Sequence, residues 1–138
     1  RCTLVINRKK LKFIEIAGAA SEGVMITTSL DRDSGEAETK DFISGFAAKA
    51  GYPADMVAAS GHTAILVLAD ALTRSGGQGG AALRDAIAGT NLKASTGQIS
   101  FNALGEVKKD VQVQIVKDGN WHRHSVISDP VLLAPPSE

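Results

Sequence analysis

Apolar positions recur at two different periods along the 138-residue chain. Phe13, Ile14, Ile16 and Ala17 stand at helical spacings and stop near Gly18, which predicts a short helix or turn over Phe13–Ala20. Gly23–Thr28 is short, apolar and β-branched, and reads as a first strand. The polar loop Ser29–Gly35 follows. Glu36–Ala50 then places Ala37, Phe42, Ile43, Phe46, Ala47 and Ala50 on one helical face, with acids in its early turns, Lys49 near its end and Gly51 beyond. Tyr52-Pro53-Ala54-Asp55 breaks that helix and offers Asp55 as the N-cap of the next. Met56–Arg74 is apolar over much of its circumference, which predicts a deeply buried helix. After the glycine-rich loop Ser75–Gly80, a third helix is expected over Gly80–Gly89 and closes at Thr90-Asn91.

The period then shortens to two. Gln98–Phe101 alternates, Asn102–Gly105 turns, and Val111–Val116 alternates as a half-exposed strand does. Asp118-Gly119 signals a hairpin returning through Trp121–Ile127, and Pro130, Pro135 and Pro136 mark an extended tail. No internal repeat is present. Helices in the middle with strands before and after define an α/β or α+β domain, and the hairpin argues against an entirely parallel sheet.

Composition narrows the function classes. The chain is 43% hydrophobic and 22% charged, enough for one globular domain with a real core. Its longest uncharged runs, Met56–Ala69 and Ala94–Leu104, fall short of the roughly 20 apolar residues of a membrane span. A single cysteine, Cys2, excludes an intrachain disulfide framework and a cysteine-based zinc site. Fifteen basic and fifteen acidic residues cancel, against a nucleic-acid partner held by bulk charge. Five of the basic residues fall in the first twelve positions, which leaves residues 13–138 with a net charge of −5. Residues 1–12 therefore read as a separate basic head, expression-derived or replaced, in which no signal peptide is visible.

Three motifs invite chemistry. Gly77-x-Gly79-x-x-Ala82 loosely matches a dinucleotide fingerprint, but a helix rather than a strand precedes it, so a helix–helix connection is expected. His122-x-His124 could offer two metal ligands on one strand face or form a solvated edge, and no third ligand is near in sequence. Asp31, Asp33, Glu36 and Glu38 lack the glycine and closing glutamate of a calcium loop and read as loop and cap residues. His62, near the start of the Met56–Arg74 helix, is a polar residue that could face a cleft. Ser60, two residues before it, does not make a nucleophile–base pair by sequence, since such pairs are established in space. No catalytic residue, metal site or cofactor is expected.

From Phe13 to about Trp121 an ordered series of short motifs carries a family resemblance. Phe13-Ile14-Glu15-Ile16-Ala17-Gly18 leads into Ser21-Glu22-Gly23-Val24 with Thr27-Thr28 after it, and Glu36–Gly51 ends in a glycine. Pro53-Ala54-Asp55 precedes Ala58-Ala59-Ser60-Gly61-His62-Thr63-Ala64 and Leu68-Ala69-Asp70-Ala71-Leu72, and Leu83-Arg84-Asp85-Ala86-Ile87 comes next. Thr96-Gly97-Gln98-Ile99-Ser100-Phe101-Asn102-x-x-Gly105 and Lys117-Asp118-Gly119 complete the set. The series resembles the C-terminal part of the type I periplasmic binding proteins, the branched-chain amino acid (leucine/isoleucine/valine) substrate-binding components of ABC transporters.

The resemblance implies an α/β fold: a partial binding-protein lobe of three main helices on a mixed sheet with a C-terminal hairpin. Residues 13–129 would form the binding-protein-like fragment, flanked by the head and by a tail over 130–138. It implies no enzyme but a solute-binding component of an importer. That component would take a small amino-acid-like solute in an interlobe cleft and deliver it to a permease, in the periplasm or lipid-anchored outside the cell. Val57, Ser60 and His62, with Thr27 and Thr28 at the strand end, are expected to line the cleft wall. Val57 stands where many members carry an aromatic residue, and His62 where a tyrosine is common. The family's N-terminal lobe has no counterpart here, so one wall should bind weakly, and surface meant for neighbours should drive homo-oligomerisation or domain swapping. The alternative function is a ligand-sensing regulator or interaction module on the same scaffold.

Overall fold

The computed structural model describes residues 13–133. Residues 13–17 are helical and tighten into a 3-10 turn at Gly18–Ser21, as the stop near Gly18 requires. Strand β1 (Met25–Thr28) follows, then helices α1 (Ala37–Ala50), α2 (Met56–Arg74) and α3 (Gly80–Ala88). Strands β2 (Asn91–Ala94), β3 (Gly97–Phe101), β4 (Val107–Lys108), β5 (Val111–Lys117) and β6 (Asn120–Ile127) complete the order. The basic head at 1–12, Cys2 included, and tail residues 134–138 lie outside the described residues.

The local signals act where they stand. Gly51 takes the left-handed conformation (φ 74°) and its N–H closes α1 on the Ala47 carbonyl, 3.0 Å away. The Asp55 carboxylate accepts from the Ala58 N–H at 2.7 Å and caps α2. Asp118 and Gly119, at φ 51° and 70°, make the tight turn between β5 and β6. The Glu22 carboxylate accepts from both turn amides, at 3.0 and 2.7 Å, and so ties the start of β1 to the hairpin tip.

The strands do not form one mixed sheet. They make two three-stranded antiparallel sheets, in the orders β1-β5-β6 and β2-β3-β4. β2 and β3 are joined by only Ser95-Thr96, so they fold back on each other, and Lys109-Asp110 then carries the chain across to the other sheet. Asn91–Ala94 and Val107–Lys108 are strands that the residue pattern did not predict, because they are short and poor in β-branched residues.

α2 departs from its expected burial. Only Ala59, Thr63, Val67 and Ala71 are buried, one narrow stripe, while Ile65 is 64% exposed and Leu68 and Leu72 are exposed beside it. The small β2–β3 hairpin and α3 pack along one side and Phe42 of α1 stacks on His62 near the helix start, whereas Ile65, Leu68 and Leu72 stay exposed. By length and composition α2 is apolar enough to cross a membrane, contrary to the expectation from its interrupted run. Its buried stripe packs on the hairpin through Val67, which meets Ala94 and Ile99.

The core is correspondingly thin. One cluster joins Leu30, Ala54 and Ala59 with Phe42, Ile43 and Phe46 of α1. A second joins Val67, Ala94 and Ile99 with Leu66, Ile87, Leu92 and Phe101.

Candidate ligand-facing clefts

Two pinned segments face each other across the gap between the sheets. The first is the loop after β1. The Thr28 hydroxyl accepts from the Leu30 N–H at 3.2 Å and turns the chain away from the strand. Arg32 donates to the Gln114 amide oxygen at 3.1 Å and to the Ala54 carbonyl at 3.3 Å, and the Gln114 amide donates to the Leu30 carbonyl at 3.3 Å. Burial lowers the Arg32 pKa, although nearby Asp55 and Asp33 oppose the shift. Arg123 of β6 pairs with the Asp31 carboxylate, which raises its pKa, and its backbone N–H donates to Asp33 at 2.6 Å. Gln114 is fully buried, so the alternation in β5 does not mark a solvent face.

The second segment is the turn Ser95-Thr96. The Ser95 hydroxyl lies 3.0 Å from His62 Nδ1 and 3.1 Å from the Thr63 hydroxyl, and it donates to the Ala59 carbonyl at 3.2 Å. Thr63 in turn lies 3.0 Å from the Thr96 hydroxyl. The His62 ring stacks on Phe42 with centroids 4.8 Å apart. This network fastens the hairpin to α2 and sets the orientation of the imidazole.

Between the two segments lies a cleft of about 390 Å³, bordered by Ser29, Asp31, Glu36, Ser95, Thr96 and Gln112 among others. Lys93 and Glu36 form an ion pair at its rim; that exposed contact raises the lysine pKa. Ser29, Thr96 and Gln112 also border a larger cleft of about 830 Å³ between the two sheets. A third, shallow cleft of about 540 Å³ lies beside His122, His124 and Asp33. His122 Nδ1 is 3.9 Å from Asp33, and a bulge between Val113 and Gln114 leaves His124 without a cross-strand partner. Among the described residues, no three His, Cys, Asp or Glu side chains come together as a metal site.

The five residues named from the sequence do not meet in these clefts. Val57, Ser60 and His62 share the first turns of α2 and are exposed there. Thr27 is exposed on β1, opposite Val113, whereas Thr28 is buried with its hydroxyl on Leu30. The glycine-rich loop is the connection from α2 to α3. The residue pattern did not single out Ser95, Lys109, Gln112, Arg32 or Arg123. The Ser95-Thr96 pair before Gly97 was the only local hint, and it becomes readable as a turn once Asn91–Ala94 is known to be a strand.

This chain belongs to the periplasmic binding protein family: the family's sequence profile matches residues 12–120. A leucine binding protein from Thermotoga maritima superposes with a TM-score of 0.77 at 30% identity, over 88% of this chain and 35% of that protein. A branched-chain amino acid transporter substrate binding protein from Streptococcus pneumoniae, solved with isoleucine, gives 0.70 at 19% identity, over 85% of this chain and 33% of its own. A solute binding protein from R. palustris, solved with benzoate, gives 0.70 at 21% identity, over 82% and 32%. The last two likenesses are of fold. Comparison with curated protein sequences gives no match. The chain thus spans about a third of the length of these solved proteins. Membership places it in a solute-binding, non-enzymatic family that works outside the cytoplasm.

Proposed function

We propose that this chain supplies one wall of the solute cleft of an ABC importer's binding protein, for a small amino-acid-like solute passed on to a membrane permease. The observation that carries the reading is the 30% identity to a leucine binding protein over 88% of the chain, with a TM-score of 0.77. Periplasmic or lipid-anchored residence follows from that role. Residues 13–129 are the binding-protein-like unit, with 1–12 and 130–138 as appendages.

In this reading Val57, Ser60 and His62 are exposed around the first turns of α2 and Thr27 is exposed on β1, while Thr28, buried, shapes the loop after the strand through its contact with Leu30. His62 is already oriented by Ser95 and Phe42, so it loses little rotamer freedom on meeting a polar solute group. A cleft protein buries about 70–90% of its ligand by closing on it from two sides, so a single wall binds weakly. The exposed apolar face of α2 (Ile65, Leu68, Leu72) favours self-association, as a homo-oligomer or domain swap.

Thermal-shift measurements with leucine, isoleucine, amides and short carboxylates test the binding claim. A solute at ten times its dissociation constant adds about 1.4 kcal/mol of stability. The expected result is a shift for apolar amino acids at millimolar concentrations only, diminished by Ser60→Leu. A broad panel without any shift removes solute binding from this chain and leaves the family membership standing. Light scattering at low concentration tests self-association, and a clean monomer overturns it.

A further inference from the structure

We propose that two copies of this chain pair through the exposed face of α2, antiparallel and related by a two-fold axis that passes between Ala64 and Ile65. Such a pair rests on the self-association proposed above and gives it one surface, one register and a stoichiometry of two. Val57, Gly61, Ala64, Ile65, Leu68 and Leu72 are all exposed. By the 3.6-residue helical period they fill an arc of about 100° that contains no polar side chain. They make two overlapping rows, 57-61-64-68 and 61-65-68-72, each spaced four, three and four as the seam of a helix pair is.

What fits this face is the same face reversed. The spacing of the six positions reads alike in both directions, so one two-fold sets Val57 against Leu72, Gly61 against Leu68 and Ala64 against Ile65. In each of these pairs a smaller side chain meets a larger one. An isologous interface requires that residue i meets j while j meets i, and this pattern supplies it. Gly61 is the hole. Glycine is a poor residue for a helix interior, and a Cβ at this position meets nothing within 4 Å, so packing inside one chain does not call for it. Leu68 of a second copy fills the space.

The charges agree with a copy as the occupant. Asp70 and Arg74 are the only Asp, Glu, Lys or Arg residues of α2, and they bond to each other at 2.7 Å, outside the apolar arc. Two copies of the face therefore meet without repulsion, whereas a charged partner finds nothing on it to pair with. Covering six positions on each copy removes on the order of 1,000 Å² from water, the lower end of what specific association needs. The pair is therefore reversible, with a dissociation constant in the micromolar range.

Sedimentation equilibrium of the Cys2→Ser chain, which cannot form an intermolecular disulfide, tests the pairing. The expected result is a reversible monomer–dimer equilibrium that goes no further. Leu68→Lys should weaken it at least about tenfold, since each copy then brings an ammonium into the apolar seam. Gly61→Leu separates this register from general stickiness. It adds apolar surface and should leave the urea midpoint of the monomer unchanged or higher, yet it should weaken the dimer at least about tenfold by filling the hole. Adding Leu68→Ala to Gly61→Leu exchanges large and small across the pair and should recover most of the lost affinity. A monomer at every concentration overturns both this pairing and the self-association proposed above. The pairing alone is overturned, and self-association left standing, by a dimer indifferent to Leu68→Lys, a dimer tightened by Gly61→Leu, a double variant no better than Gly61→Leu, or growth into larger assemblies. Circular dichroism and urea midpoints report whether each variant is folded, and Gly61→Leu carries the test if the lysine variant is not.

Discussion

Two polar clusters border the gap between the sheets, and they differ in what their atoms touch. Around Ser95, every hydroxyl has a partner: Ser95 meets His62, Thr63 and the Ala59 carbonyl, and Thr63 also meets Thr96. Gln114 and Arg32 are satisfied in the same way across the loop after β1. A short distance along β5 and in the link before it, Gln112 Oε1 and Lys109 have no partner among the described residues. Buried polar groups that are fully paired hold elements in register, whereas unpaired ones lower stability by the cost of their desolvation. The first kind is architecture here, and the second is a local cost to stability.

Substitution separates the two kinds by the sign of its effect. The largest loss is expected from Gln114→Leu, which strips the Leu30 carbonyl of its donor and leaves the half-buried Arg32 guanidinium short of an acceptor. Removing one partner from a charged buried hydrogen bond is unfavourable by about 2–3 kcal/mol, to be read as a lower urea midpoint at unchanged slope. Ser95→Ala comes next. It frees the Ala59 carbonyl and the His62 imidazole while the Thr63–Thr96 contact survives, so about 1–2 kcal/mol should be lost, with the hairpin amides exchanging faster than those of the β1-β5-β6 sheet. Gln112→Leu should go the other way. It removes an unpaired buried acceptor at nearly constant volume, and the midpoint should hold or rise by up to about 1 kcal/mol. A loss as large as that of Gln114→Leu would show that Gln112 is structural and erase the contrast.

The same division explains what the residue pattern could reveal. Elements set by neighbours in sequence were legible: the Gly51 stop, the Asp55 cap and the Asp118-Gly119 turn each depend on one or two side chains acting within a few residues. Elements set by distant partners were not. Val-Gln-Val-Gln in β5 reads as one wet face, yet Gln114 is fully buried because Arg32 and the Leu30 carbonyl, more than eighty positions away, satisfy its amide. The uniform apolarity of α2 reads as deep burial, yet only the stripe touching the hairpin is covered. Of the clefts, the pattern located the exposed polar start of α2 at Ser60 and His62. It could not locate Lys109 or Gln112, whose significance lies in the absence of nearby partners.

The smallest effect, Lys109→Met, tests the contrast most finely because its size changes with pH. Desolvation holds the folded-state pKa of Lys109 below its ordinary 10.5. Below that folded pKa the ammonium is charged in both states, and folding carries the full unfavourable cost of desolvating it. As pH rises through the folded pKa toward 10.5, the folded chain releases its proton first and the cost fades, so wild-type stability rises across this window. The methionine variant has no such group. It should melt slightly higher than wild type at neutral pH, and the gap should narrow as the solution is made alkaline. Partial exposure keeps the gap small, since water relieves part of the desolvation. If methionine instead lowers the midpoint at every pH, Lys109 is paired in the folded chain, and its cluster belongs with that of Ser95.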